Sequence, residues 1–165
     1  GAVSFSFLSE DDTIREGYGL EKSAEDYIES YRALRRHTKV YPHITIGLKG
    51  GRIVGERGAI EALRSIGAPA VIFNIMRPTR GTKYEGLRPP AVEEVADIIG
   101  EAKEVLRDTP IYLGCMRPGG EYREAIDREA MGLEVDRIVM PSRGAVRLAK
   151  ANGLPIRYRD ECCIL

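Results

Sequence analysis

Tryptophan is absent from this chain of 165 residues, histidine occurs twice and cysteine three times. Three cysteines, two of them adjacent, do not make a disulfide framework, so the fold has to rest on an apolar core. At 18.3 kDa and 43% hydrophobic residues the chain is long enough to build one. The thiols fit a reducing compartment and leave metal or redox chemistry open. Charge of one sign is also missing: 25 Lys+Arg stand against 25 Asp+Glu, for a net charge of zero. That balance argues against a nucleic acid or a membrane surface as a partner held by bulk electrostatics. The longest apolar stretches, such as Ala68–Met76, fall far short of the roughly 20 residues of a membrane-spanning helix. No basic and apolar leader opens the chain, and a cytoplasmic setting is the expectation.

Five short runs rich in Val, Ile, Phe and Tyr, each bounded by turn residues, read as strands: Val3–Leu8, Tyr41–Leu48, Ala70–Met76, Ile111–Met116 and Arg137–Met140. Helical patterns lie between them. Ser23 and Asp26 form a capping signature ahead of Tyr27, Ile28, Tyr31 and Leu34. Gly58–Ile66 is a second helix, and Pro90 opens a third, with Val92, Val95, Ile98, Ile99 and Val105 on one stripe. Glu121–Met131 and Gly144–Ala151 complete the set, the last stopped by Asn152-Gly153. Strand then helix, five times over, predicts one α/β domain over residues 1–165 with a parallel sheet.

The strands choose between two architectures. Open doubly wound sheets bury both faces and read as continuous apolar runs. Here Ser4 and Ser6 alternate with Val3, Phe5 and Phe7, His43 and Thr45 alternate with Ile44 and Ile46, and Asn74 interrupts the third run. One polar and one apolar face describes a barrel strand whose inner side meets a ligand. A complete barrel takes about 250 residues, so the expectation is a partial (β/α) barrel of the TIM type, with about five units.

In such folds chemistry sits at the C-terminal ends of the strands, and those ends are rich in glycine: Gly47, Gly50, Gly51 and Gly55 after the second strand, Gly81 after the third, Gly119 and Gly120 after the fourth, Gly144 after the fifth. Glycine lets backbone approach a ligand, and helix N-termini offer free N–H groups. The plainer reading is that these glycines make tight turns.

Several segments carry a resemblance: Tyr18-Gly19-Leu20; His43 through Gly51; Pro78 through Thr82; Leu113 through Gly120; Asp136 through Ser142; and the tail Asp160-Glu161-Cys162-Cys163. In order and spacing the chain resembles the C-terminal half of radical S-adenosylmethionine (radical SAM) proteins of the biotin synthase and lipoyl synthase type, archaeal biotin-synthase-like proteins above all. The resemblance implies that the five strands correspond to the family's fourth to eighth. It implies S-adenosylmethionine as cofactor, its adenosine walled by Gly47, Gly50, Gly51, Gly55, Glu56, Gly81 and Thr82. Substrate contacts would come from His43, Asn74, Arg117 and Arg143, the arginines gripping a carboxylate. It leaves room for an auxiliary iron–sulfur cluster on Cys115, Cys162 and Cys163. In the plainer reading Cys115 is a small core residue, the tail thiols are idle and Glu56 caps the next helix.

The departures bear on function. The Cys-x3-Cys-x2-Cys loop that holds the family's catalytic cluster and the Gly-Gly-Glu motif for the methionine amine are not in this sequence, nor are strands to carry them. The expected role is therefore half of an enzyme, inactive alone, completed by an N-terminal barrel half or by a second copy through exposed strand edges. Two other classes stay open: a phosphate-binding barrel lyase or isomerase using the loops at Gly119-Gly120 and Ser142-Arg143-Gly144, and a non-catalytic half-barrel that self-associates.

Overall fold

The computed structural model describes residues 1–160, 163 and 164. Its strands are β1 (Ala2–Ser6), β2 (Lys39–Ile46), β3 (Val71–Ile75), β4 (Ile111–Leu113) and β5 (Arg137–Ile138). They form one all-parallel sheet in the order β1-β2-β3-β4-β5. The order never reverses, unlike that of a doubly wound sheet. Right-handed crossovers along such an order deliver every helix to the same face. The fold is α/β, a run of five β/α units with the sequential order of a (β/α) barrel.

Six helices accompany the strands: α1 (Asp11–Tyr18), α2 (Ala24–Arg35), α3 (Glu56–Ile66), α4 (Val92–Val105), α5 (Gly120–Gly132) and α6 (Arg143–Ala151). At the start of α2, Asp26 N–H donates to Ser23 Oγ (3.2 Å) and Ser23 N–H donates to Asp26 Oδ2 (2.8 Å), the reciprocal cap the sequence predicts. Helix α1 was not among the expected elements. It is short, buries only Thr13 and Ile14, and is held by its ends: Glu10 accepts from Thr13 N–H (2.6 Å), and Gly19 closes it in the left-handed region.

The apolar sheet face is the core. Val40, Ile44, Ile46, Val71, Phe73, Ile75, Ile111 and Leu113 pack with Ala59, Ile60 and Leu63 of α3, Val95, Ile98, Ile99 and Ala102 of α4, and Ile126 and Ala130 of α5. Around Phe7 the ring of Tyr31 makes an edge contact at 5.3 Å, joining α2 to the end of β1.

The last two strands are shorter than their sequences predict. β4 ends at Leu113 and β5 at Ile138, not at Met116 and Met140. Single ladder bonds continue, from Ile75 N–H to Met116 O and from Val139 N–H to Leu113 O (both 2.9 Å). Beyond them the carbonyls of Gly114, Cys115, Arg117, Val139 and Met140 turn to arginine side chains. Among the described residues no helix is long and apolar enough to cross a membrane.

Candidate functional site

Partners in a parallel ladder point to the same side, so the register defines the second face. Ser6 pairs with His43, His43 with Ile72, Thr45 with Asn74, Ile72 with Tyr112, and Tyr112 with Arg137. This face carries Ser4, Ser6, Tyr41, His43, Thr45, Asn74, Tyr112 and Arg137, and His43, Thr45, Asn74 and Tyr112 are half-buried. The Arg137 guanidinium lies 4.8 Å from the centre of the Tyr112 ring. Sequence periodicity points to Ser4, Ser6, His43, Thr45 and Asn74; Tyr112 and Arg137 join them only through register, since their strands are too short to show alternation.

His43 is held at both ring nitrogens. Nδ1 lies 3.1 Å from Tyr41 O, and a carbonyl only accepts, so Nδ1 carries the proton and Nε2 the lone pair. Cys163 Sγ lies 3.5 Å from Nε2. Burial pushes the imidazole pKa below 6.5, partly opposed by the bond to Tyr41, and the ring is neutral at pH 7. Asn74 Oδ1 is buried with no hydrogen-bond partner among the described residues. Gly114 makes its place: a Cβ there would stand 2.1 Å from Asn74 Oδ1.

The glycine-rich loop after β2 is filled by the protein itself. Glu56 is buried, and its carboxylate accepts from Gly47 N–H and Val54 N–H, both at 2.7 Å, tying the loop to the first turn of α3. Gly47 and Gly51 both have positive φ. A Cβ on Gly47 would meet Pro90 Cγ at 2.3 Å, and one on Gly51 would meet Arg88 O at 2.2 Å. These glycines admit the loop before α4 rather than a ligand. The cleft between this loop and the end of β1 has a volume of about 20 Å³, room for about one water molecule. Gly50 and Gly55 belong to the same loop; a Cβ on Gly55 would stand 2.7 Å from Glu10 Cβ. Gly81 and Thr82 are exposed on the loop after β3, and open space surrounds Gly81.

Arg117, expected to grip a substrate carboxylate, is 1% exposed and fully engaged inside the protein. Its Nε and Nη2 meet Asp127 Oδ1 at 2.9 and 2.8 Å, Nη1 donates to Gly114 O and to Val139 O (2.9 Å), and Nη2 also donates to Met140 O (3.3 Å). Those five contacts use every N–H of a guanidinium. Asp127 Oδ2 accepts from Ser142 N–H (2.6 Å), so the pair joins the ends of β4 and β5 to α5 and α6. Burial lowers the Arg117 pKa, and the Asp127 carboxylate opposes that shift. Arg123 adds bonds to Cys115 O and Met140 O (both 3.0 Å). Sequence reasoning missed Asp127 and Arg123; the available signal is that Asp127 adjoins Ile126 on the inward stripe of α5, where an unpaired carboxylate does not survive.

Arg143 is exposed as the first residue of α6. Cys115 is exposed at the end of β4, whereas Cys163 lies against His43; Cys162 is outside the described residues. Among the described residues no three His, Cys, Asp or Glu side chains converge on a point that could hold a metal ion. Comparison with protein-family models and with curated protein sequences finds no match.

Proposed function

We propose that this chain is the C-terminal half of a radical SAM enzyme of the sulfur-inserting, biotin- or lipoyl-synthase-like kind, and that its polar sheet face is the substrate-side wall of the completed barrel. The observation that carries the reading is a one-sided helix layer over a sequentially ordered parallel sheet, with a half-buried polar face opposite. A barrel lumen that receives a small molecule is built in that way. His43, Asn74 and Thr45 would touch substrate, with Arg143 at the rim. Arg117 serves the wall as a positioning residue.

The implied cofactor is tested by the loop geometry. The interior of the Gly47–Glu56 loop, closed by Pro90 and Arg88, has no room for a nucleoside, so S-adenosylmethionine is assigned only to the open face and to the rim at Gly81 and Thr82. For an auxiliary iron–sulfur cluster the described residues supply no converging ligand set, and no step is assigned to one. The partner would be an N-terminal barrel half, or a second copy, at the edges β1 and β5. The phosphate-barrel reading loses support at α6, where Asp127 and the Ser142 hydroxyl already accept from Ser142 N–H and Ala145 N–H.

Calorimetric titration of the chain with S-adenosylhomocysteine tests the reading. Saturable binding that Asn74→Leu abolishes and millimolar phosphate leaves intact is the expected result. No binding at millimolar ligand, or displacement by phosphate, overturns it. Iron content after anaerobic reconstitution, compared with Cys115→Ala, reads the cluster separately.

A further inference from the structure

The net charge of zero conceals a separation between the two ends of the sheet. Between Glu10 and Glu29, a stretch covering α1 and half of α2 beside β1, eight carboxylates stand against Arg15 and Lys22. Lys49 meets Glu10 and Asp12 from the next unit, and Arg32 and Arg35 at the far end of α2 are committed to Glu25 and to Ile66 O. Glu16, Glu21 and Glu29 stay exposed and in no ion pair among the described residues. At the β5 end, α6 carries Arg143, Arg147 and Lys150 and no carboxylate. Glu124 of α5 lies beside Gly144, yet none of these three cations is in an ion pair among the described residues. Arg143 and Arg147 are four apart at the start of the helix, where like charges repel and the dipole disfavours a cation.

Packing is also incomplete at the β5 end. Helices α3, α4, α5 and α6 pack in turn along the sheet, and α6 has no successor. It buries Ala145 alone, where α3 and α4 bury four residues each. Neither residue of β5 is buried, and a cavity of about 730 Å³ lies beside that strand and α6, with Met140 and Tyr158, 70% and 71% exposed, on its wall. Tyr18, Leu20 and Leu34 are the exposed large apolar side chains of the β1 end. In the strand order β1 and β5 are the outermost, each with a neighbour on one side only.

We propose that two copies of this chain associate head to tail, the cationic β5–α6 end of each against the acidic β1–α2 end of the other, so that ten parallel strands enclose one lumen lined by both polar faces. A step from β5 to the partner's β1 continues the parallel order and keeps the strand direction. Both junctions are then related by a two-fold axis along the lumen and form together, which closes the ring rather than growing a filament. Each junction gives α6 a neighbouring helix, sets carboxylates opposite its cations and removes two free strand edges. The proposal rests on the reading of the polar face as a barrel wall and takes a second copy, not an N-terminal half, as the partner. It makes no use of the cofactor.

Sedimentation of the full chain at about 100 μM tests it, with salt raised from about 50 to about 500 mM. The expected species has twice the mass of the 18.3 kDa chain, with a dissociation constant that rises about ten-fold over that range. Arg147→Glu/Lys150→Glu and Glu21→Lys/Glu29→Lys should each weaken self-association by about ten-fold. An equimolar mixture of the two should recover it, because every junction then joins opposite charges, and native mass spectrometry identifies the mixed dimer. All four positions are exposed, so the fold is kept, and circular dichroism verifies it. Arg143 is left in place because the reading above gives it a substrate role. A monomer in low salt, an association indifferent to salt, a mixture no tighter than its parts, or growth past the dimer would overturn the proposal. The titration with S-adenosylhomocysteine reads the cofactor separately, so failure there and failure here are distinct results.

Discussion

Replacing Asp127 by alanine should be among the most damaging single substitutions in this chain. The carboxylate takes two contacts from Arg117 at 2.8–2.9 Å and one from Ser142 N–H at 2.6 Å, with both charged side chains 0% exposed. Removing it leaves a guanidinium buried without its counter-charge, which typically costs about 3–5 kcal/mol. The lost contact at Ser142 also loosens the N-cap of α6. We expect about 4 kcal/mol from Asp127→Ala, a large share of the roughly 5–15 kcal/mol that a domain has. For a chain of this length that corresponds to a fall of roughly 8–16 °C in Tm. Asp127→Asn keeps the shape and loses the charge, and should fall between Asp127→Ala and wild type. Urea unfolding followed at 222 nm measures the loss, with the slope on denaturant unchanged. The double variant Arg117→Met/Asp127→Leu should lie well above the sum of its singles, with a coupling of at least about 2 kcal/mol. A loss below about 1 kcal/mol for Asp127→Ala, or a coupling near zero, would refute the account of this pair.

A glycine series tests whether the loop after β2 is filled by the protein. Gly51→Ala, at φ 88° with its Cβ 2.2 Å from Arg88 O, should cost about 3 kcal/mol, most of it from the clash with backbone, whereas Gly81→Ala, at φ 78° in open space, should cost about 1 kcal/mol. Gly119→Ala, at the N-cap of α5 with φ −90° and open space around it, should cost no more than about 1 kcal/mol by thermal melts, the ordinary penalty of alanine at a cap, and equal effects at positions 51 and 119 would dismiss the packing argument. The pH dependence follows from His43. Its folded pKa lies below 6.5, so the unfolded chain takes up the proton first as pH falls, and stability is fully present above pH 6.5 and declines below it. The slope is at most about 1.4 kcal/mol per pH unit. Glu10, Asp12 and Asp26, held low mainly by hydrogen bonds against the desolvation of Glu10, act only further down, so urea midpoints between pH 7 and 5 isolate the histidine. His43→Gln should flatten the curve in that window; parallel curves would exclude His43 as its source.

Local pattern carried much of the architecture. The two-residue alternation in Ser4–Phe7 and His43–Ile46 separates a polar from an apolar face before any pairing is known, because successive side chains of a strand point to opposite sides. The cap of Ser23 and Asp26 and the apolar stripe of α4 are local for the same reason, set by neighbours within one helical turn. Gly51 shows where local reading stops. Its sequence context says only that backbone conformation is unusual, and whether a ligand or Arg88 O fills the space depends on a loop from another β/α unit.

Charge placement is the other boundary. Arg117 follows a strand end, where an exposed anion-binding arginine and a buried structural one look alike in sequence. Asp127, one helix away, together with carbonyls from two loops, decides between them, and that meeting exists only after α5 has packed against β4. Likewise nothing near Cys163 in the sequence indicates His43, 120 residues earlier; only the folded chain brings the thiol to 3.5 Å from Nε2. By itself the sequence determined the strand–helix alternation, the parallel sheet, the polar face and the reciprocal cap of α2, all products of short-range periodicity and backbone chemistry. The tertiary structure alone decided which glycines are filled by protein, which arginine is withdrawn from solvent and which thiol meets His43, because each rests on burial and hydrogen bonding between residues that only folding brings together.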